Sequence, residues 1–133
     1  MTPSPVTIGR EQSLTVAHRL MREHHIRHLP VLARGRLVGL VSQRDLHFIE
    51  TLRDVDRDLV AVEDAMSEPV YKVAPGARLA TVVKEMADRR IGSAIVVDRG
   101  KVVGVFTAVD GLRVLADLLA RVPRAAQPAR RAG

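Results

Sequence analysis

The sequence repeats itself, and this repeat limits the possible folds more than any other feature. At an offset of 65 positions the first half aligns with the second without a gap, from Val6/Tyr71 to Leu46/Gly111. The identical pairs include Leu14/Leu79, Met21/Met86, Ile26/Ile91, Val31/Val96, Arg34/Arg99, Gly35/Gly100, Val38/Val103, Gly39/Gly104 and Asp45/Asp110. An internal repeat marks one structural unit used twice, and a unit of about 50 residues buries too little apolar surface to be stable alone. The sequence therefore predicts two copies that share one core.

Each copy has the same predicted order of elements: strand, helix, strand, strand, helix. Short apolar runs at 6–8 and 71–73 predict the first strands, and apolar residues at helical spacing predict the helices that follow. A hairpin with a glycine in its turn comes next, and then the second helix. The predicted fold class is α/β (α+β), with two β-α-β-β-α repeats. The predicted organisation is a first repeat at 1–53, a polar linker at 54–61, a second repeat at 62–120 and a disordered basic tail at 121–133.

Composition excludes several classes of protein. Apolar residues make up 47% of the 133 residues and charged residues 27%, which is typical of a globular protein. The absence of cysteine excludes disulfides and thiolate chemistry. No uncharged apolar run approaches the length of a membrane span, and the first residues show no secretory signal. We therefore expect a cytoplasmic protein that has no membrane segment.

The net charge of +6 suggests a nucleic-acid partner. Much of this charge lies in the predicted tail, which contains Arg121, Arg124, Arg130 and Arg131 and no acidic residue. The rest of the chain is nearly balanced, with 17 basic against 15 acidic residues. A short tail without aromatic residues gives at most weak, salt-sensitive attraction to phosphates. Nucleic acid is therefore not the favoured partner.

A glycine, a hydroxyl residue and an aspartate recur at the same spacing in both copies. The last two are Ser42 and Asp45 in the first copy, and Thr107 and Asp110 in the second. A strand ends and a helix begins there, so that unpaired N–H groups would suit a phosphate and the carboxylate would accept both hydroxyls of a ribose. The same spacing fits a capping box, in which the hydroxyl and the acid only cap the helix. The two roles are compatible, and the spacing alone does not decide between them.

The repeat resembles a tandem pair of cystathionine-β-synthase (CBS) domains. The resemblance rests on residues 28–31 and 34–45 in the first copy, and on residues 65–70, 91–97 and 104–110 in the second. It implies a pseudo-twofold pair packed through its β-sheets, with two clefts that bind adenosine compounds such as AMP, ADP, ATP or S-adenosylmethionine. It also implies a stand-alone regulatory module, without enzymatic activity, that forms homodimers and signals to another protein.

The resemblance further implies which residues bind the adenosine compound. In the first cleft these are Thr7, Ile8, Arg27, His28, Leu29, Pro30, Ser42, Arg44 and Asp45. In the second cleft they are Lys72, Val73, Ser93, Ala94, Ile95, Thr107 and Asp110, with Tyr71 beside them. The apolar side chains of both sets are equally typical of a core. Because the repeat partners of Arg27, His28 and Arg44 are uncharged, we expect the first cleft to favour a polyphosphate.

Other interpretations of the same residues remain. A ligand-free interaction scaffold would keep the fold while Asp45 and Asp110 merely cap helices. His24, His25 and His28 have a spacing that metal ligands use, but a solvated helix end is the favoured explanation. No catalytic triad or phosphate-binding loop is evident, so that neither catalysis nor a required cofactor is expected.

Apolar residues in the second helix of each copy predict a homodimer. They exceed what one small core needs, and such a surface usually marks an interface. The residues concerned are Leu46, Phe48, Ile49, Leu52, Val114, Leu115, Leu118 and Leu119.

Overall fold

The computed structural model describes residues 2–3, 5–52 and 54–123, and it contains the predicted order of elements twice. A strand β1 (Thr2–Pro3) comes first. The first copy follows as β2 (Ile8–Gly9), α1 (Leu14–His24), β3 (His28–Ala33), β4 (Arg36–Ser42) and α2 (Gln43–Glu50). After a short 3-10 helix (Val62–Asp64), the second copy is β5 (Lys72–Val73), α3 (Leu79–Arg89), β6 (Ser93–Asp98), β7 (Lys101–Thr107) and α4 (Ala108–Ala120). From residue 124 onward the predicted tail lies outside the described residues.

The hairpin predicted in each copy is present between β3 and β4 and between β6 and β7. Its two turn residues both have positive φ: 52° at Arg34 and 78° at Gly35, then 51° at Arg99 and 79° at Gly100. Two-residue turns of this kind match the twist of the flanking strands, and glycine adopts the second position without strain.

The two sheets exchange short segments at their edges. One sheet has the order β2-β3-β4, and the other has the order β1-β7-β6-β5. Strand β1, from the start of the chain, pairs antiparallel with β7, and Thr2 lies opposite Val105. The repeat-equivalent pair is Ser67 and Leu40, and the Ser67 N–H donates to the Leu40 carbonyl at 2.8 Å. The segment before each copy therefore joins the sheet of the other copy, as a pseudo-twofold axis requires.

The strand positions differ slightly from the prediction. The first strand was expected at 6–8 and begins at Ile8, and β1 has no counterpart in the prediction. The sheets meet through contacts between β4 and β7, so that the two copies form one body.

The two copies bury unequal cores. The first core consists of Ile8, Leu14, Ala17, Met21, Leu29, Val31, Val41, Leu46, Val62 and Ala65. The second consists of Val82, Met86, Ala94 and Phe106. The first is larger because the segment between the copies closes over it: the Leu14 N–H donates to the Val60 carbonyl at 3.1 Å, and the Val62 N–H donates to the Gln12 carbonyl at 2.7 Å. Part of the predicted linker is thus packed structure.

Candidate functional site

Two cavities lie where a strand runs into the second helix of a copy. The first cavity, of about 660 Å³, lies at the start of α2 and includes Ser42 and Asp45. The second, of about 570 Å³, lies at the start of α4 and includes Thr107 and Asp110. Both volumes are in the range of small-molecule sites. The repeated hydroxyl and acid thus each line a cavity.

Both helices begin with a complete capping box. The Asp45 N–H donates to Ser42 Oγ at 3.1 Å, and the Ser42 N–H donates to Asp45 Oδ2 at 2.8 Å. The corresponding distances for Thr107 and Asp110 are 3.2 and 2.8 Å. Capping is therefore real in both copies. It uses one carboxylate oxygen of Asp45, and among the described residues no donor binds the other, Oδ1. The cap leaves this oxygen for a ligand.

The far wall of the first cavity comes from the second copy. We call the residues that precede the first strand of a copy its lead-in segment, which is 67–71 for the second copy and 5–6 for the first. The second lead-in segment contributes Ser67, Pro69, Val70 and Tyr71 to this wall. The turn before β6 contributes Ile91 and Gly92, and the strand itself contributes its first residue, Ser93. Arg89 lies over the Tyr71 ring, with its guanidinium carbon 5.0 Å from the ring centroid. This cation–π pair holds an aromatic face and a positive charge at the same cavity.

The second cavity has the mirrored construction. Pro5 and Val6 of the first lead-in segment line it, together with the helix end and turn at His24, His25, Ile26, Arg27 and His28. Arg113 of α4 adds a second guanidinium. Each cavity is therefore shared between the two copies.

The structure groups the predicted site residues differently around the two cavities, and their role in binding a ligand stays a prediction. Among the described residues, neither cavity is lined by Thr7, Ile8, Leu29, Pro30, Lys72, Val73, Ala94 or Ile95. The side chains of Ile8, Leu29, Pro30, Ala94 and Ile95 are buried inside the protein. Ser93 and Tyr71, which were assigned to the second cleft, line the first. Tyr71 lines the first cavity because the second lead-in segment crosses to the first copy, whereas the prediction kept this segment with its own copy.

Arg27 and His28 line both cavities. Their repeat equivalents are Gly92 and Ser93, which line the first cavity alone. Burial lowers the pKa of the His28 imidazole below 6.5, the nearby Asp45 carboxylate opposes this effect, and the Arg27 guanidinium adds to it. His28 is therefore a neutral side chain at neutral pH.

The charge of the two cavities differs less than the sequence suggested. Arg27, Arg44 and Arg89 line the first cavity with one acid, Asp45. Two arginines line the second with one acid, Asp110, and three histidines lie beside them. The first cavity keeps a larger excess of arginine, by one residue. Arg89 and Arg113 escaped the prediction because each belongs to a helix face that only the tertiary fold turns toward a cavity.

No group of three or more histidine, aspartate or glutamate side chains in the part of the chain that the structure describes is placed to hold a metal ion. No helix among the described residues is long and apolar enough to cross a bilayer.

Comparison with known proteins identifies the repeat. The family model described as CBS domain matches residues 1–48 and 62–117. The CBS domain-containing protein YhcV of Bacillus subtilis is 27% identical over 110 residues, which are 83% of this chain and 78% of that protein. An inosine-5'-monophosphate dehydrogenase of Korarchaeum cryptofilum is 36% identical over 106 residues, which are 79% of this chain but only 21% of the dehydrogenase.

Two solved structures show the same architecture. The CBS domain of a bacterial CNNM/CorC family Mg²⁺ transporter, in complex with ATP, has a TM-score of 0.75 and 28% identity, covering 87% of this chain and 83% of that one. The CBS domain pair of protein MJ0100, in complex with 5-methylthioadenosine and S-adenosyl-L-methionine, has a TM-score of 0.79 and 24% identity, covering 89% and 93%.

Proposed function

The chain belongs to the CBS-domain family, and from this premise we propose that it binds an adenosine nucleotide in its first cavity and passes this occupancy to a partner protein. The structure is a pair of CBS repeats, and the described residues include no catalytic domain. Regulation of another, so far unknown, protein from a cytoplasmic location is part of the proposal.

The observation that carries the proposal is the composition of the first cavity. The cavity is lined by the start of α2 and by three arginines, Arg27, Arg44 and Arg89, with the single carboxylate of Asp45. A helix N-terminus with guanidinium groups around it suits phosphate oxygens. Tyr71 also lines this cavity, and the ring face that Arg89 does not cover is the one proposed to stack on a base. The related CBS domain of the Mg²⁺ transporter, which holds ATP, supports a ligand of this class.

Asp45 is the residue that would recognise the ribose. Its Oδ2 caps α2, and its Oδ1 lies without a hydrogen-bond donor among the described residues. A carboxylate oxygen in that position accepts a hydrogen bond from a ribose hydroxyl. The cap and the ligand contact thus use different oxygens of one side chain.

The test uses a substitution that separates these two roles. In Asp45→Asn the amide oxygen still accepts from the Ser42 N–H, while an amide NH₂ replaces Oδ1. We expect calorimetry to show at least a tenfold loss of affinity for AMP, ADP or ATP, because one charge-assisted hydrogen bond contributes about 1.5–3 kcal/mol. Asp110→Asn is the matched control and should weaken binding to the first cavity little. Thermal shift with S-adenosylmethionine extends the panel.

A ligand-free scaffold is the alternative function. The complete capping boxes favour it, since they explain the repeated hydroxyl and acid without any ligand. If none of the four adenosine compounds binds the folded protein, the nucleotide proposal is wrong and the scaffold explains the structure.

Homodimerisation belongs to both functions. Helix α4 has no buried residue, and its side chains at three-residue spacing are largely exposed: 65% for Leu112, 49% for Leu115 and 53% for Leu118. Such an apolar helix face is typical of an interface. One residue of the predicted interface is excluded, because Leu46 is fully buried in the first core. A second copy of the chain is the proposed occupant of this face.

Light scattering tests the dimer. The protein should have twice its chain mass at micromolar concentration, and the double variant Leu112→Glu/Leu118→Glu should be a monomer. Leu59→Glu changes an exposed leucine outside α4 and should leave the mass unchanged. A monomeric parent protein would contradict this part of the proposal.

A further inference from the structure

The side chains that lie between the two cavities differ between the copies, although the backbone of the two copies is equivalent. Arg27, just before β3, and His28, the first residue of β3, line both cavities. Gly92 and Ser93 occupy the equivalent positions in the second copy, and they line the first cavity only. The two cavities therefore share one long cation and one imidazole. The second copy has neither a cation nor an imidazole at the equivalent positions.

Arg27 is available to a ligand. Its side chain is exposed, and among the described residues no carboxylate lies within ion-pair distance of it. Its carbonyl accepts the Gln43 N–H at 2.9 Å, which fixes the backbone of the turn beside the start of α2. The backbone of Arg27 is thus fixed between the cavities, and its guanidinium has no ion-pair partner among the described residues.

We propose that the two cavities compete for Arg27, so that the chain binds one anionic nucleotide at a time instead of two. This inference rests on the proposed function, because it concerns how the same ligand distributes. One guanidinium makes a bidentate contact with one phosphate group. A second phosphate in the opposite cavity would lose that contact, and the charge of the first phosphate would repel it.

The proposal predicts a dependence on ligand charge. ATP needs the shared cation and should occupy one cavity, with the second ATP bound at least tenfold more weakly. Adenosine has no phosphate and does not need Arg27. It should fill both cavities with similar affinity, which makes it the control for any purely steric effect of the His28 ring.

The decisive variant gives the first copy the residues of the second. With Arg27→Gly/His28→Ser the two copies have the same residues between the cavities, because the repeat partners are Gly92 and Ser93. Equilibrium dialysis should then count two ATP molecules per chain, each bound more weakly than the single ATP of the parent protein. Two equal ATP sites in the parent, or one site in both proteins, would overturn the proposal.

A second measurement does not depend on how well that variant folds. In Asp45→Asn the first cavity is weakened, Arg27 is released, and ATP affinity at the second cavity should rise severalfold, as followed by NMR shifts of the Asp110 and Arg113 amides. Independent cavities would leave that affinity unchanged, which also overturns the proposal. If neither protein binds any adenosine compound, the proposed function fails and not only the competition.

Discussion

The two copies have the same elements but not the same burial. Leu14 begins α1 and is fully buried, whereas its repeat partner Leu79 begins α3 and is 41% exposed. The difference comes from the segment between the copies, which closes over α1 through Val60 and Val62. Among the described residues, no segment closes over α3 in the same way.

This difference shows that the repeat sets the backbone geometry of both copies but not which of their surfaces become buried. The first copy completes its core within the chain. The second leaves the apolar face of α4, and Leu79 and Val83 of α3, at the surface. The first copy exposes Phe48 and Leu52, so that the second, with the smaller core, offers the larger apolar surface to another molecule.

The largest expected effect comes from truncating the two equivalent leucines. Leu14→Ala removes a fully buried side chain and should lower the free energy of unfolding by about 2–5 kcal/mol. Leu79→Ala removes a side chain that is already partly in water and should cost about 1 kcal/mol or less. Urea denaturation at one fixed protein concentration measures both. Equal losses would show that the unequal burial has no energetic counterpart.

Helix caps give the next largest effect. Ser13 caps α1 by accepting the Val16 N–H at 3.3 Å, whereas Arg78, at the same position of α3, provides no side-chain cap. Ser13→Ala should therefore destabilise the protein by about 1 kcal/mol. Arg78→Ser should stabilise it by about 0.5–1 kcal/mol, while Arg78→Ala should change little. A destabilised Arg78→Ser protein would mean that the arginine has a contact beyond the cap.

The smallest expected effect is on the pH dependence of stability, to which the first copy contributes through His28, whereas the second has Ser93 instead. Burial holds the pKa of His28 below 6.5, so that the unfolded chain takes up a proton more readily than the folded one. Stability from this site is complete above pH 6.5 and falls as the pH drops below that value. His28→Ser, which copies Ser93, should flatten this part of the profile. Thermal unfolding at pH 7 and pH 5.5 compares the two proteins, and parallel profiles would refute the assignment.

Much of the fold follows from the sequence because it is encoded locally. The helix spacing around Met21 and Met86, the hairpin glycines and the Ser42/Asp45 cap each depend on residues close together in the chain. All of them are present in the structure. The offset between copies then predicts that what holds for one copy holds for the other.

The site was predicted less well because it depends on contacts between the copies. The capping pairs were placed at the cavities correctly, since their position is local. The opposite walls could not be predicted in the same way, because they come from the other copy and the lead-in segments carry too little pattern to show which copy they join. The prediction grouped Tyr71 and Ser93 with Asp110, whereas in the structure both line the cavity of Asp45. Leu46 was misplaced for a related reason: apolar spacing does not tell which side of a short helix faces the core.

The pairing of β1 with β7 has a consequence for how the protein is made. Thr2 pairs with Val105, about a hundred residues later in the sequence, so that strand β1 must wait for its partner until β7 has been synthesised. Such distant contacts form slowly and late. During synthesis on the ribosome the first copy can therefore assemble its core while the sheet edge of the second does not yet exist. We expect the closing of this edge by β1 to be among the last steps of folding.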